Sequence, residues 1–308
     1  MALTTEQALS LCASDDLIGI GMEADALRRT LHPEGVVTYT VDRALTLPES
    51  GLLDEAFDGI LLAAIDDGAT ALALSTPSSL TLEAVEQLLT AIRNRYPSLI
   101  LHGFSATAVS LLAANSGLPV SEVLRRLQAA GLASLTGGDA GILDDALAQT
   151  RCSASEWRAI HRASHALGIP STASIRFGAG ETDAQIVAHL EALEQLQQET
   201  GGFTAFLPTV FTAPTLRVLD EATAVEYLRT LALARLVLAS IPHIQVDWAA
   251  QGLKLAQMAL RFGADDLGTA LPATSSDRST EQDLRRIIRG AGFLPVRRDA
   301  AFRTYALD

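Results

Sequence analysis

The stretch Val36-Val37-Thr38-Tyr39-Thr40-Val41-Asp42-Arg43, followed by Ala44-Leu45-Thr46-Leu47-Pro48-Glu49-Ser50, is the segment from which the fold can be laid out. β-Branched and aromatic residues fill its first half, Gly35 precedes it and Pro48 follows it, so we predict a buried strand over residues 36–43. In a barrel of parallel strands, the links that follow the strands form the face that carries the chemistry. The link at 44–50 contains no Cys, no His and no Gly-rich turn.

Strand and helix patterns alternate downstream of this segment. Ser153 and Glu156 predict a capping box at the start of one of the helices. Alternation of this kind predicts parallel strands with right-handed helical crossovers, and at this length a closed or partial TIM-type β/α barrel is favoured over a doubly wound sheet. We predict one α/β domain over 1–308, with a helical preface at 1–35, the barrel at 36–210 and a mostly helical extension at 211–308. The five further strands are predicted near residues 71–74, 99–104, 133–135, 171–177 and 203–207.

The composition excludes several classes of function. The chain has 23 Lys and Arg against 36 Asp and Glu, a formal charge of -13, which disfavours nucleic acid and anionic membranes as partners. Cys12 and Cys152 can build neither a disulfide framework nor a metal site, and we interpret both as packed thiols in a reducing compartment. His161, His165 and His243 form no recognisable metal triad, so we predict no metal site. The N-terminus has no leader pattern and no run approaches ~18 apolar residues, so we expect a cytoplasmic protein with no membrane partner.

Five runs together resemble the menaquinone-pathway (futalosine) branch of the radical SAM superfamily. The runs are LHPEG at 31–35, QETGGFTAFLP at 198–208, EYLRTLALAR at 226–235, QGLK at 251–254 and FGADDLG at 262–268. This branch includes aminofutalosine synthase and dehypoxanthinyl futalosine cyclase, and the resemblance is strongest to the cyclase. It covers nearly the whole chain and implies a radical-SAM-like β/α barrel with extra N- and C-terminal helices.

The resemblance also implies a cofactor site that this chain lacks. Family members carry a CxxxCxxC motif just after the first strand, where three thiolates hold a [4Fe-4S] cluster whose remaining iron position binds S-adenosylmethionine. Here Asp42 and Arg43 match the family pattern, but the chain continues into the next helix without the motif. We therefore expect neither cofactor. The other positions where the chain departs from the family's cofactor pattern are Ser75, Thr76, Ala108, Gly141 and Ala179.

Several polar residues are candidates for a remaining pocket. Glu181, Asp247, Asp266 and His102 are the candidate catalytic groups, because each could transfer a proton if desolvated. Arg176 is expected to face the barrel interior, either as part of an anion or carboxylate site or in an ion pair with Glu181 or another acid, because an unpaired buried guanidinium is costly. The predicted substrate-binding residues are Ser105, Thr172, Ser174, Arg176, Thr209 and Gln251.

Three functional interpretations remain open. The leading one is a cluster-free homologue that binds a small molecule, or that serves a related pathway enzyme as a noncatalytic partner, without radical chemistry. The second is an enzyme repurposed for non-radical acid/base chemistry on a nucleoside-like or aromatic carboxylate substrate. The third is a functional cyclase whose cluster is supplied in an unrecognised way, for example by another chain. The sequence does not decide whether the chain is an enzyme, which ligand it takes or which oligomeric state it adopts.

Overall fold

The segment predicted as the first strand is two strands that belong to different sheets. In the computed structural model, which describes residues 3–143, 152–212, 222–268, 270–272, 281–300 and 302–304, β1 is Val36–Tyr39 and β2 is Asp42–Thr46. The break falls at Thr40, whose hydroxyl donates a 2.6 Å hydrogen bond to Asp42. The single strand predicted over 36–43 is therefore wrong, and the barrel link begins at Leu47 rather than at Ala44.

The main sheet contains eight strands, all paired in parallel. Its members besides β2 are β3 (Ala71–Ser75), β4 (Ile100–Ser105), β5 (Leu132–Thr136), β6 (Ser171–Phe177), β7 (Phe203–Val210), β8 (His243–Ile244) and β10 (Ala270–Pro272). Their order is β10-β2-β3-β4-β5-β6-β7-β8. Sequential strands thus lie side by side, as the predicted β/α barrel requires.

A smaller parallel sheet continues the ring. β1 lies between β9 (Asp266–Leu267) and β11 (Leu294–Arg297). A bridge from Gln245, next to β8, to Asp266 joins the edge of the main sheet to this smaller sheet. The region predicted as mostly helical therefore also contributes strands, which are too short to leave a clear pattern in the sequence.

The helices surround the sheet and begin at well-formed caps. Ser153 and Glu156 form the predicted capping box, and Gly117, Gly131 and Gly201 end their helices in the left-handed conformation. The helices are α1 (Thr5–Cys12), α2 (Leu17–Leu31), α3 (Glu55–Asp66), α4 (Leu82–Arg95), α5 (Ala106–Ser116), α6 (Val120–Ala130), α7 (Ala154–Ala166), α8 (Asp183–Thr200), α9 (Ala224–Val237), α10 (Trp248–Gln251), α11 (Leu253–Ala259) and α12 (Glu281–Gly290). Within the described ranges, none of them is both long and apolar enough to cross a bilayer.

Strand β6 shows how the barrel separates its two faces. Ala173, Ile175 and Phe177 alternate along the strand and are buried in the hydrophobic core. Thr172 and Ser174 lie on the other face of the strand, and Thr172 lines the cavity inside the ring of strands. The apolar face therefore packs the fold, and the polar face is available to build a site.

Candidate functional site

A cavity of about 560 Å³ lies inside the ring of parallel strands. Its wall includes one or two hydroxyl side chains from each of five strands, so it offers hydrogen-bond donors and acceptors on most sides. These side chains are Thr46 of β2, Ser75 of β3, Ser134 and Thr136 of β5, Thr172 of β6 and Thr204 of β7. A pocket of this size and polarity suits a small organic molecule.

Asp42 and His102 meet on one wall of the cavity. His102 Nε2 lies 3.6 Å from Asp42 Oδ2, and this nitrogen is buried without a hydrogen-bond partner among the described residues. Thr40 anchors the other Asp42 oxygen at 2.6 Å. Burial alone would raise the pKa of Asp42, but His102, Thr40 and the more distant Arg298 outweigh it and lower the pKa below its ordinary value. The pair is thus a carboxylate beside an imidazole with an unused nitrogen.

Arg298 and Asp266 form an ion pair at the cavity wall. Arg298 donates from Nε and Nη2 to the two oxygens of Asp266 at 2.5 and 2.7 Å, and both side chains are buried. Asp266 also accepts from Thr38 at 2.6 Å and from Gln245 at 2.9 Å. The Arg298 guanidinium lies 3.8 Å from the centroid of the Phe302 ring. Asp266, a predicted proton-transfer acid, therefore has both oxygens held by partners in the folded chain.

The structure brings only part of the predicted site into this cavity. His102, Asp247 and Thr172 line it, as does Ser75, one of the positions that departs from the family pattern. Asp247 also caps α10 by accepting from Ala250 N at 3.2 Å. The predicted residues that do not line it are Ser105, Ser174, Arg176, Thr209, Gln251, Glu181, Asp266, Thr76, Ala108, Gly141 and Ala179.

Three of these outlying residues have structural contacts instead. Ser105 caps α5 by accepting from Ala108 N at 3.3 Å, and Ser174 donates to the Gly137 carbonyl. Thr209 donates to the carbonyl of Ile175 at 3.1 Å, across the neighbouring strand. Their hydroxyls thus satisfy backbone groups, which leaves them less available to a ligand.

Arg176 and Glu181 do not pair with each other. Glu181 accepts hydrogen bonds from two backbone amides, those of Gly178 and, at 2.9 Å, Ala179. The half-buried Arg176 guanidinium lies 5.8 Å from the centroid of the Phe211 ring. The aromatic ring is thus the observed neighbour of this guanidinium, in place of the predicted acid.

The residues present do not fit a [4Fe-4S] cluster. Residues 47–54, which join β2 to α3, are all described and contain no thiol. Cys12 and Cys152 are both buried outside the cavity lining. Burial raises the pKa of Cys12 to about 11 and that of Cys152 to about 12, so both remain neutral thiols, whereas a cluster needs thiolates.

Sequence reasoning missed most of the polar cavity wall, including the hydroxyls of Thr46, Ser134, Thr136 and Thr204. Asp42 was noted only as a family match, and Gln245, Arg298 and Phe302 were not singled out at all. Asp42 stands next to a predicted strand end, which is a usable signal. Gln245, Arg298 and Phe302 come from beyond the predicted barrel strands and reach the cavity through tertiary folding, and no local pattern marks them.

Comparison with known proteins places the chain in a family. The model described as the CofH/MqnC C-terminal region matches residues 200–307. The cyclic dehypoxanthine futalosine synthase of Streptomyces coelicolor is 30% identical over 338 residues, covering 97% of this chain and 85% of that protein. The chain belongs to the CofH/MqnC family of futalosine-pathway radical SAM proteins.

Other relatives show how widely this CofH/MqnC barrel is shared. The 5-amino-6-(D-ribitylamino)uracil–L-tyrosine 4-hydroxyphenyl transferase of Archaeoglobus fulgidus is 32% identical over 332 residues, covering 95% of this chain and 96% of that protein. Among solved structures, methylornithine synthase matches with a TM-score of 0.70 at 13% identity, over 96% of this chain and 94% of the other. That structural likeness supports the predicted radical-SAM-type barrel fold.

Proposed function

We propose that this CofH/MqnC family member has lost the [4Fe-4S] and S-adenosylmethionine site and binds a small molecule in its barrel, or assists a related pathway enzyme, without radical chemistry. The observation that carries the proposal is the thiol-free connection at 47–54. In the family pattern the cluster ligands stand in this link, and oxygen or imidazole side chains are poor substitutes for three thiolates.

The lengths of the aligned proteins support the same proposal. The alignment to the Streptomyces coelicolor protein spans 338 residues, more than the 308 of this chain, so that protein has segments with no counterpart here. A short link between β2 and α3 is one place where such a segment can be absent without disturbing the barrel, because loops contribute little to the core.

The charges around the cavity indicate what kind of ligand it would take. Arg298 is already neutralised by Asp266, while Asp42 and Asp247 add carboxylates to the wall. An anionic ligand would therefore meet no free cation among the lining residues. The hydroxyl and amide groups of a neutral ligand, in contrast, would find hydrogen-bond partners on most of the strands. This favours an uncharged or cationic polar molecule over the carboxylate ligand that Arg176 suggested.

Anaerobic reconstitution with iron and sulfide tests the loss of the cluster. The expected result is no stoichiometric cluster on the chain after gel filtration, measured by iron and sulfide analysis. A double variant, Cys12→Ser with Cys152→Ser, controls for iron held loosely by thiols that become exposed. A stable [4Fe-4S] cluster that the double variant loses would contradict the proposal, and turnover by a mixture with a cluster-bearing partner chain would support the third interpretation.

Ligand screening tests the binding role. We expect an uncharged or cationic nucleoside to raise the melting temperature of the wild-type chain more than a futalosine-pathway carboxylate does, because a ligand that binds only the folded state stabilises it. The cavity-filling substitution Thr172→Tyr should remove this shift, and the exposed substitution Gln195→Ala on α8 should preserve it. Absence of a shift, together with no association with the pathway enzymes in pull-downs, would contradict both forms of the proposal.

A second candidate function, acid/base catalysis, is favoured by the Asp42–His102 pair. His102 Nε2 lies 3.6 Å from the Asp42 carboxylate and has no hydrogen-bond partner among the described residues, so a small movement would bring this imidazole into hydrogen-bond range and let it act as a general base. This pair supports the alternative better than Glu181 or Asp266, because the oxygens of those two acids are engaged by other groups. Turnover of any pathway intermediate that disappears in both Asp42→Asn and His102→Gln would support it. Turnover that survives both substitutions would exclude the pair.

A further inference from the structure

A second group of metal-ligating side chains lies beside the barrel cavity. His32 follows α2, His243 begins β8 and Asp265 directly precedes β9, so folding brings together residues that are far apart in the sequence. One ligand atom from each residue lies within 4.8 Å of the other two. The sequence pattern predicts no metal site, because His161, His165 and His243 form no triad, whereas the fold groups His243 with His32 and Asp265.

We propose that His32, His243 and Asp265 form a binding site for a divalent transition-metal ion of the Zn²⁺ type. Two imidazoles and one carboxylate are a donor set that Zn²⁺, Co²⁺ and Ni²⁺ accept, with at least one further coordination position left for water. A pocket of about 290 Å³ adjoins the three residues and provides room for that water. None of the three residues lines the proposed small-molecule cavity, although Phe302 borders both pockets, and the metal site does not depend on that cavity's function.

The spacing of the donor atoms suits such an ion after a small movement. His32 Nε2 lies 3.3 Å from Asp265 Oδ2, close to the ~3.3 Å that separates ligands in a tetrahedral site with metal bonds of about 2.0 Å. His243 Nδ1 lies 2.5 Å from the same oxygen, a hydrogen bond that the ion would replace. Metal binding therefore requires these two side chains to separate by less than about 1 Å and releases a proton.

Asp265 is oriented toward the two histidines by its other contacts. The buried Arg235 guanidinium and the Ile244 amide, the latter at 2.8 Å, both donate to Oδ1, which leaves Oδ2 facing the imidazoles. Burial raises the pKa of Asp265, but Arg235, His243 and His32 outweigh it and lower the pKa to about 2. The carboxylate is thus ionised at neutral pH and held by the kind of outer contacts that orient metal ligands.

The imidazoles are also held in position. The His243 ring stacks on Phe302 with centroids 4.1 Å apart and on His32 with centroids 5.0 Å apart. Without a metal, His32 Nε2 is protonated, because it lies 2.9 Å from the Pro242 carbonyl, which can only accept. Ligation moves this proton to Nδ1, which faces the Glu34 carboxylate at 3.6 Å. The site therefore has a nearby group that favours the ligating tautomer.

Calorimetric titration of the metal-free full chain with zinc chloride tests the proposal. We expect one zinc ion per chain, with proton release seen as a binding enthalpy that changes between buffers of different ionisation enthalpy. Co²⁺ bound at the same site should give a visible absorption band that Zn²⁺ removes. These readouts do not depend on any catalytic activity.

Two amide variants separate metal ligation from structural hydrogen bonding. His32→Gln can still donate to the Pro242 carbonyl and His243→Asn can still donate to Asp265, but neither supplies an imidazole nitrogen. Each variant should weaken zinc binding by at least about tenfold. Loss of a group that only orients a metal ligand already weakens binding by about 10- to 100-fold, and loss of the ligand itself should cost no less. His102→Gln in the main cavity should leave zinc binding unchanged, and circular dichroism should show that all three variants fold. Failure to bind zinc at one ion per chain, or equal binding by wild type and both amide variants, would overturn the proposal.

Discussion

Acidification from pH 7.5 to 5.0 should destabilise the fold through histidines whose pKa values are lowered by burial. His161 and His189 are fully buried, and the partly buried His165 adds to their effect, since burial lowers its pKa to about 4. Burial, with a smaller contribution from neighbouring His165, lowers the pKa of His161 to about 3. Burial also lowers the pKa of His189 to about 4, against the opposing effect of its hydrogen bond to the Ser174 carbonyl. All three pKa values lie below the ordinary value near 6.5, so the unfolded chain binds more protons and the free energy of unfolding falls as the pH drops through 6.5.

The hydrogen bonds of His189 show why a second proton is not tolerated. Its Nδ1 accepts from the Leu143 amide at 3.0 Å, and its Nε2 lies 2.9 Å from the Ser174 carbonyl and must donate. Protonation of Nδ1 would place two donors against each other in the core. Each fully buried histidine therefore lowers the free energy of unfolding by about 2 kcal/mol at pH 5.0, or about 4 kcal/mol for the pair, a large fraction of the 5–15 kcal/mol typical of a whole protein.

Urea denaturation at the two pH values measures this loss. The midpoint should fall by about 1 M or more between pH 7.5 and 5.0. His189→Gln keeps a donor for the Ser174 carbonyl but cannot titrate, so this variant should be less stable at pH 7.5. It should keep about two thirds of the wild-type pH dependence, because the pKa values of His161 and His165 are also lowered by burial. Gln195→Ala, an exposed change on the same helix, should show the full dependence. An unchanged midpoint in the wild type, or an unchanged slope in His189→Gln, would refute the reasoning.

Three further substitutions or reactions test the structure. Gly103→Ala should lower the free energy of unfolding by about 3 kcal/mol or more, because φ is +119° and the new Cβ would lie 2.5 Å from the Leu74 nitrogen. Its control, Gly117→Ala at φ +68°, meets no atom within 4 Å and should lower it by about 1–2 kcal/mol, both measured by urea denaturation. Arg298→Met should lower the free energy of unfolding by about 3–5 kcal/mol, because it leaves the buried Asp266 carboxylate without its cation. Arg162→Met should lower it by under about 1 kcal/mol, because its partner Glu199 is exposed. Both thiols should resist Ellman's reagent in the folded chain and react after denaturation, because burial raises their pKa values; fast reaction of the native chain would contradict the described burial.

Local patterns predicted the elements of the fold better than their assembly. The capping box predicted at Ser153 and Glu156 begins α7, and the strand predicted over 171–177 coincides with β6. Their caps and apolar periodicity are short-range signals, which the chain carries in each segment. The division of the chain into preface, barrel and extension remains a prediction.

The first strand shows where such signals stop. The local pattern of residues 36–43 predicts one strand. Only tertiary pairing shows that its two halves join different sheets. The same limit applies to the site. Thr172 could be placed from strand alternation, whereas Arg298 directly follows β11 and meets Asp266 of β9 across the intervening strand β1, an arrangement set by tertiary pairing.

The position of the missing motif explains how the fold survives without it. The cluster ligands of the family belong to a link between a strand and a helix, and here that link runs from Leu47 to Asp54 while β2 keeps its parallel pairing with β3 and β10. Cavity-facing positions include hydroxyls, and Ala173, Ile175 and Phe177 on the opposite face of β6 remain buried in the core. Because barrel stability resides in the buried face and chemistry resides in the links, the proposed loss of radical chemistry requires no compensation in the core. The proposed zinc site fits this division, since it lies under the smaller sheet and uses residues that the link does not touch.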